Sequence, residues 1–181
     1  MSKKINGPTM LTILRIILII PLMICIFIDD LPAKIVAIII FALASITDYI
    51  DGYWARKERL VTDLGIFLDP LADKMLISLT FLALVYLNLV PLWMFAVILV
   101  RDLAVDGMRM MSAKNGITVP ASKAGKLKTT IQMYTILFIL LNRILNFGPL
   151  TIVNTILLYI VVVLTVFSGL EYLIKGRKIL K

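Results

Sequence analysis

Four aspartates stand in two pairs: Asp48 and Asp51 are three residues apart in DYIDGYWAR, and Asp69 and Asp73 are four apart in GIFLDPLADK. On a helix either spacing puts both carboxylates on one face. Like charges this close repel, and an ionised Asp costs about 2.5–3.5 kcal/mol at the centre of a membrane helix and less near its ends. Something cationic must compensate. Arg56, Lys74 and Arg101 offer structural ion pairs, but four carboxylates paired on adjoining helices are better explained by bound divalent metal. Oxygen-only ligation favours Mg²⁺ or Mn²⁺ over zinc. Small residues extend the pattern. Asp48, Asp51, Gly52 and Ala55 fall at i, i+3, i+4 and i+7, and Gly65, Asp69 and Asp73 at steps of four. They leave a hollow beside the carboxylates, or they let helices pack closely, and the two readings are compatible.

These residues sit on apolar helices. The chain has 181 residues, of which 61% are hydrophobic, with mean hydropathy +1.01, well above the roughly half-apolar make-up of soluble domains. Apolar runs near the length needed to cross a bilayer recur throughout. We expect an all-α integral membrane protein with one domain over residues 1–181 and six transmembrane helices, near Thr9–Ile28, Pro32–Trp54, Ile66–Leu87, Pro91–Met111, Pro120–Leu141 and Pro149–Ile174. Several open on proline, which suits a first helical turn. The start has lysines, an apolar run and Cys25, like a lipoprotein signal, but bulky Ile24 precedes the cysteine, so a permanent first helix is expected.

Of the 19 basic residues, Lys3, Lys4, Arg56, Lys57, Arg59, Arg109, Lys114, Lys123, Lys126, Lys128, Lys175, Arg177, Lys178 and Lys181 fall at one set of helix ends. Lys34 and Arg143 lie at the other, and Arg15, Lys74 and Arg101 within spans. The positive-inside rule then puts both termini in the cytoplasm. The net charge of +8 needs no nucleic acid to explain it, since anionic membrane lipids suffice as partners. With one cysteine and no histidine, an internal disulfide is excluded, and the usual general base is missing.

The run Asp48-x-x-Asp51-Gly52-x-x-Ala55-Arg56, eight residues, then Gly65-x-x-x-Asp69-x-x-x-Asp73 resembles the full signature of the CDP-alcohol phosphotransferases. The resemblance implies a six-helix enzyme of the cell membrane, dimeric, with its site facing the cytoplasm, which displaces CMP from a CDP-linked lipid. It implies two divalent ions on Asp48, Asp51, Asp69 and Asp73, with Asp73 also the base that takes the acceptor's proton. It further implies that Asn6, Thr9, Gly52, Ala55, Arg56 and Gly65 surround CDP-diacylglycerol. For Asn6, Thr9 and Thr12, helix capping and back-bonding are alternatives.

The segments NGPTMLTILR, FLDPLADK and GKLKTTIQ resemble the branch of that family that uses sn-glycerol 3-phosphate and forms phosphatidylglycerophosphate. The basic residues suit a phosphorylated acceptor. Arg109 closes the fourth span, and Lys123 and Lys126 share a face at the start of the fifth, although each also fits a positive-inside anchor. Lys128 points about 200° away from Lys126 on an ideal helix, so the two are not expected at one ligand. Arg101 and Asp102 pair with each other or with site charges. Rival readings are a sister enzyme using serine or inositol phosphate, and a cation transporter. Against the transporter, the paired carboxylates gather at one end and the two halves show no repeat. Asp73→Asn is expected to abolish CMP release while the protein stays folded; near-normal turnover would sink the assignment of Asp73 as base.

Overall fold

The computed structural model describes residues 7–58, 63–114 and 122–177. Within them lie six α-helices: α1 (Gly7–Phe27), α2 (Leu31–Glu58), α3 (Asp63–Tyr86), α4 (Leu92–Lys114), α5 (Lys123–Leu145) and α6 (Gly148–Arg177). The helices outrun the apolar runs at the basic ends. α2 continues four residues past Trp54, and α4 and α6 each three past Met111 and Ile174. Hydropathy marks where the lipid would stop, whereas the helical hydrogen-bond ladder continues into water. α5 departs from expectation in the other direction. It begins at Lys123, three residues after Pro120, because Ser122 caps it: the Gly125 N–H donates to Ser122 Oγ at 3.0 Å and the Lys126 N–H to the Ser122 carbonyl at 3.1 Å.

Other helix ends are closed by equally local chemistry. Asp30 is the N-cap of α2, accepting the Ala33 N–H at 2.9 Å, which leaves Pro32 in the first turn, where its missing N–H costs nothing. Asn88 and Asn146 take positive φ (58° and 49°) to end α3 and α5. At Asn88 the bonds Leu89 N–H to Leu84 carbonyl and Asn88 N–H to Val85 carbonyl, both 2.9 Å, complete a Schellman cap.

The chain forms two compact units, residues 1–83 with 140–146, and residues 84–139 with 147–181. In the first, α1 packs along α2. Ile19, Leu22 and Ile26 are buried on α1, and Ala33, Ala37, Phe41 and Ala44 on α2, where three alanines permit close approach of the backbones. At the far end of this unit Arg143 donates to the Ile26 carbonyl at 2.9 Å, placing a cation on the C-terminal end of α1. Lys34 pairs with Asp29 at 2.6 Å, and this bond, with a smaller contribution from Arg143, holds the exposed Asp29 carboxyl below the usual carboxylate range.

In the second unit α4 packs on α6, with an apolar groove of about 460 Å³ between them that reaches Arg101 and Gly169. Thr9–Phe27 and Gly148–Tyr172 are long and apolar enough to cross a membrane, yet only 28% and 22% of their windows are buried. A soluble protein would bury such helices; here they present their apolar sides outward, as lipid-facing helices do.

A buried ion cluster ties α5 to α4. Lys128, 2% exposed, donates to both Asp102 oxygens at 2.5 and 2.6 Å, and Arg101 Nη1 donates to Asp102 Oδ1 at 3.0 Å. Both pairings anticipated for Arg101 and Asp102 reduce to the first, with Lys128 added. Removing one member of a buried pair costs about 3–5 kcal/mol because it strands the other charge. Asp102→Leu removes the acceptor that Lys128 and Arg101 share, whereas Lys128→Met leaves Asp102 paired with Arg101. Thermal unfolding in detergent should therefore show a larger fall in Tm for Asp102→Leu than for Lys128→Met; equal losses would argue that the cluster does not act as one.

Candidate active site

Asp69 and Asp73 lie one turn apart near the start of α3. Pro70 stands between them inside the helix and, having no N–H, leaves the Ile66 carbonyl without its helical donor. Gly65, one turn earlier, is buried, and both aspartates are half-buried. On α1 the buried positions Thr9, Thr12 and Arg15 continue at steps of three and four into Ile19, Leu22 and Ile26. A single helix face thus changes from polar to apolar along its length. Its polar part meets α3, where the Thr12 hydroxyl donates to Asp69 Oδ1. The bond makes one Asp69 oxygen an acceptor and ties the start of α3 to α1.

Thr12 belongs to a threonine spacing visible in the sequence, but the residue was expected at most to back-bond to its own helix. Thr80, Thr135 and Thr165 do this, bonding the carbonyl four residues back at 2.6–2.7 Å. Thr12 crosses to α3. Thr9, expected beside the nucleotide, is buried on the same stripe at 2% exposure.

The remaining candidates of this unit lie outside the described residues: Asn6 entirely, and the side chains of Asp48, Asp51, Ala55 and Arg56, with Gly52 among them, although the α2 backbone that carries these is helical through Glu58. Among the described residues no three carboxylate, His or Cys side chains gather. The two on α3 fit a hard divalent ion by their chemistry: oxygen donors one turn apart, one of them oriented by the Thr12 hydroxyl.

The second unit gathers cations around one phenol. Tyr172 on α6 is 4% exposed. Its hydroxyl accepts from Arg109 Nη2 at 2.5 Å and from the Ser122 backbone N–H at 2.8 Å. The guanidinium carbons of Arg109 and Arg101 lie 5.1 and 5.5 Å from the ring centroid, within cation–π range. Arg101 passes over two glycines. A Cβ on Gly169 would come within 3.1 Å of Arg101 Cγ, and one on Gly125 within 3.6 Å of Arg101 Nη2.

Among the described residues, Arg101 Nε and Nη2 and Arg109 Nε are buried without a hydrogen-bond acceptor. Lys126 is exposed and Lys128 buried, in keeping with their opposite directions on α5. The side chain of Lys123 lies outside the described residues. Nothing in the spacing around Tyr172 pointed to it; an aromatic residue near a basic helix end reads as an interface anchor.

Comparison with known proteins bears on both units. The family description "CDP-alcohol phosphatidyltransferase" matches residues 5–167. A Bacillus subtilis protein named CDP-diacylglycerol–glycerol-3-phosphate 3-phosphatidyltransferase is 42% identical over 153 residues, 82% of this chain and 77% of that one. A Rickettsia felis protein of the same name is 37% identical over 168 residues, 92% of this chain and 93% of its own. A Mycobacterium tuberculosis protein named "Probable phosphatidylglycerophosphate synthase" is 36% identical over 177 residues, 96% of this chain and 82% of the relative. With its aspartate helix, its polar first helix and nearly its whole length within the match, the chain belongs to the CDP-alcohol phosphatidyltransferase family.

Proposed function

We propose that this chain transfers the phosphatidyl group of CDP-diacylglycerol to sn-glycerol 3-phosphate, giving phosphatidylglycerophosphate and CMP. The observation that carries the reading is the set of relatives of that name aligned over nearly the whole chain. The bond from Thr12 to Asp69 within the aligned region supports it. Sister enzymes that use serine or inositol phosphate remain the competing acceptor assignment.

Asp48, Asp51, Asp69 and Asp73 would hold two divalent ions, Mg²⁺ or Mn²⁺, whose four positive charges offset four carboxylates. When bound, such ions supply Lewis-acid stabilisation of charge on a diphosphate. Asp73 accepts the proton of the acceptor's 1-hydroxyl, and that oxygen attacks the phosphorus bearing diacylglycerol. The new P–O bond forms as the bond to CMP breaks, so CMP leaves as an anion and the proton stays on Asp73. No covalent enzyme intermediate is required, and positioning supplies most of the rate.

Asn6, Thr9, Gly52, Ala55, Arg56 and Gly65 surround the nucleotide, and Arg109, Lys126 and Lys123 bind the acceptor's phosphate. All six helices span the cell membrane as one catalytic domain, with both termini and the site on the cytoplasmic side, and the enzyme works as a homodimer. The distribution of buried polar groups supports this orientation. Among the described residues most lie toward the N-terminal ends of α1 (Thr9, Thr12, Arg15) and α5 (Lys128, Gln132, Thr135) and toward the C-terminal end of α6 (Thr165, Ser168, Tyr172), with Thr80 and Asn154 at the opposite ends. The ends where most lie are those that the basic residues assign to the cytoplasm.

The test is an acceptor screen with labelled CDP-diacylglycerol. Product is expected with sn-glycerol 3-phosphate alone, and removal of divalent metal is expected to abolish it. Comparable product from serine or inositol phosphate would reassign the acceptor; metal-dependent cation flux without CMP would mark a transporter. Thr12→Val removes one charge-assisted bond to Asp69 and should lower kcat about tenfold, read as CMP release at saturating substrate.

A further inference from the structure

We propose that Tyr172 is a positioning residue for the acceptor phosphate, fixing Arg109 and the first turn of α5 in one register through its hydroxyl. The inference rests on the reading of Arg109 and Lys126 as acceptor ligands.

Three segments far apart in sequence converge on this buried phenol. Arg109 Nη2 from α4 and the Ser122 N–H before α5 both donate to its oxygen, and the two bonds use both acceptor lone pairs of the hydroxyl. Ser122 in turn caps α5, and its carbonyl accepts the Lys126 N–H. Moving the hydroxyl therefore moves Arg109 and the turn that carries Lys126 together.

The ring face has a second effect. It lies near both the Arg101 and Arg109 guanidiniums, so two like charges are gathered at one ring. An anion arriving there meets guanidinium N–H groups that still lack an acceptor among the described residues, although Arg101 is paired with Asp102 through Nη1. Asp102 is committed to Lys128 and to Arg101 Nη1, while Arg109 Nε and Arg101 Nε and Nη2 are buried without acceptors among the described residues. Holding a long, rotamer-rich arginine ready removes part of the ordering cost of binding.

Tyr172→Phe keeps the ring, its packing and both cation–π contacts and deletes only the oxygen. For the full chain in detergent micelles, the Kd for sn-glycerol 3-phosphate by calorimetry and the KM for the same acceptor are expected to rise about tenfold, the effect of one charge-assisted bond. The KM for CDP-diacylglycerol should stay as in the unsubstituted protein, while the Tm falls modestly because the buried Ser122 N–H and Arg109 each lose an acceptor. Because Tyr172 acts partly through Arg109 and partly through the Ser122 turn, Tyr172→Phe added to Arg109→Ala should cost more than Arg109→Ala alone but less than the product of the two single losses.

The inference is overturned by an unchanged acceptor Kd, by an equal loss for both substrates, by a fall in kcat with both KM values unchanged, or by penalties that multiply. Failure of the unsubstituted protein to bind sn-glycerol 3-phosphate would overturn the acceptor reading and this inference with it. Normal binding that Tyr172→Phe leaves untouched would overturn this inference alone.

Discussion

An ionised group held away from water must find a partner, and in a chain this apolar that requirement organises much of what lies inside each unit. Asp102 is surrounded by Lys128 and Arg101, Arg143 is spent on the end of α1, and Asp69 draws the Thr12 hydroxyl across from another helix. The contacts of Lys128 with Asp102, Arg143 with Ile26 and Thr12 with Asp69 join segments that apolar packing alone would leave free to slide, because Leu and Ile faces discriminate weakly between neighbouring registers in lipid. Polar contacts set the register, and apolar faces fill the space around it.

A division of labour follows along individual helices. α1 buries Thr9, Thr12 and Arg15 toward its start and Ile19, Leu22 and Ile26 toward its end. α5 passes from Lys128 and Gln132 to Ile139 and Leu140, and α6 from Leu158 and Val161 to Thr165 and Ser168. The apolar part of each stripe provides the packing, and the polar part carries the cross-links between helices. Glycine belongs to this second part: Gly125 and Gly169 leave the width through which Arg101 runs.

The sequence carried the elements well and the cross-links poorly. Six helices follow from the apolar runs, and the shared faces of the aspartate pairs and the opposite directions of Lys126 and Lys128 follow from helical periodicity; both signals are local. The start of α5 was misplaced because Pro120 and Ser122 both resemble helix openings, and only the observed bonds from Gly125 and Lys126 choose the serine. The Thr12–Asp69 bond, the Lys128–Asp102 pair and the meeting of Arg109, Ser122 and Tyr172 depend on which helix lies beside which. No spacing within one helix encodes that. Family resemblance supplied the aspartates and left Tyr172 unmarked, since a resemblance transfers motif positions and not the residues that brace them.

The Thr12–Asp69 bond also has a consequence in time. Its partners are 57 residues apart, so during synthesis α1 enters the membrane with its hydroxyl-bearing face before α3 exists. At about 5–20 residues per second the wait is on the order of several seconds. Throughout that interval Thr12 and the buried Arg15 must be sheltered by the insertion machinery or by water at the membrane surface. The residue that fastens α1 to α3 in the finished protein is thus, in the nascent one, a reason for the first helix to linger near the interface until the third arrives.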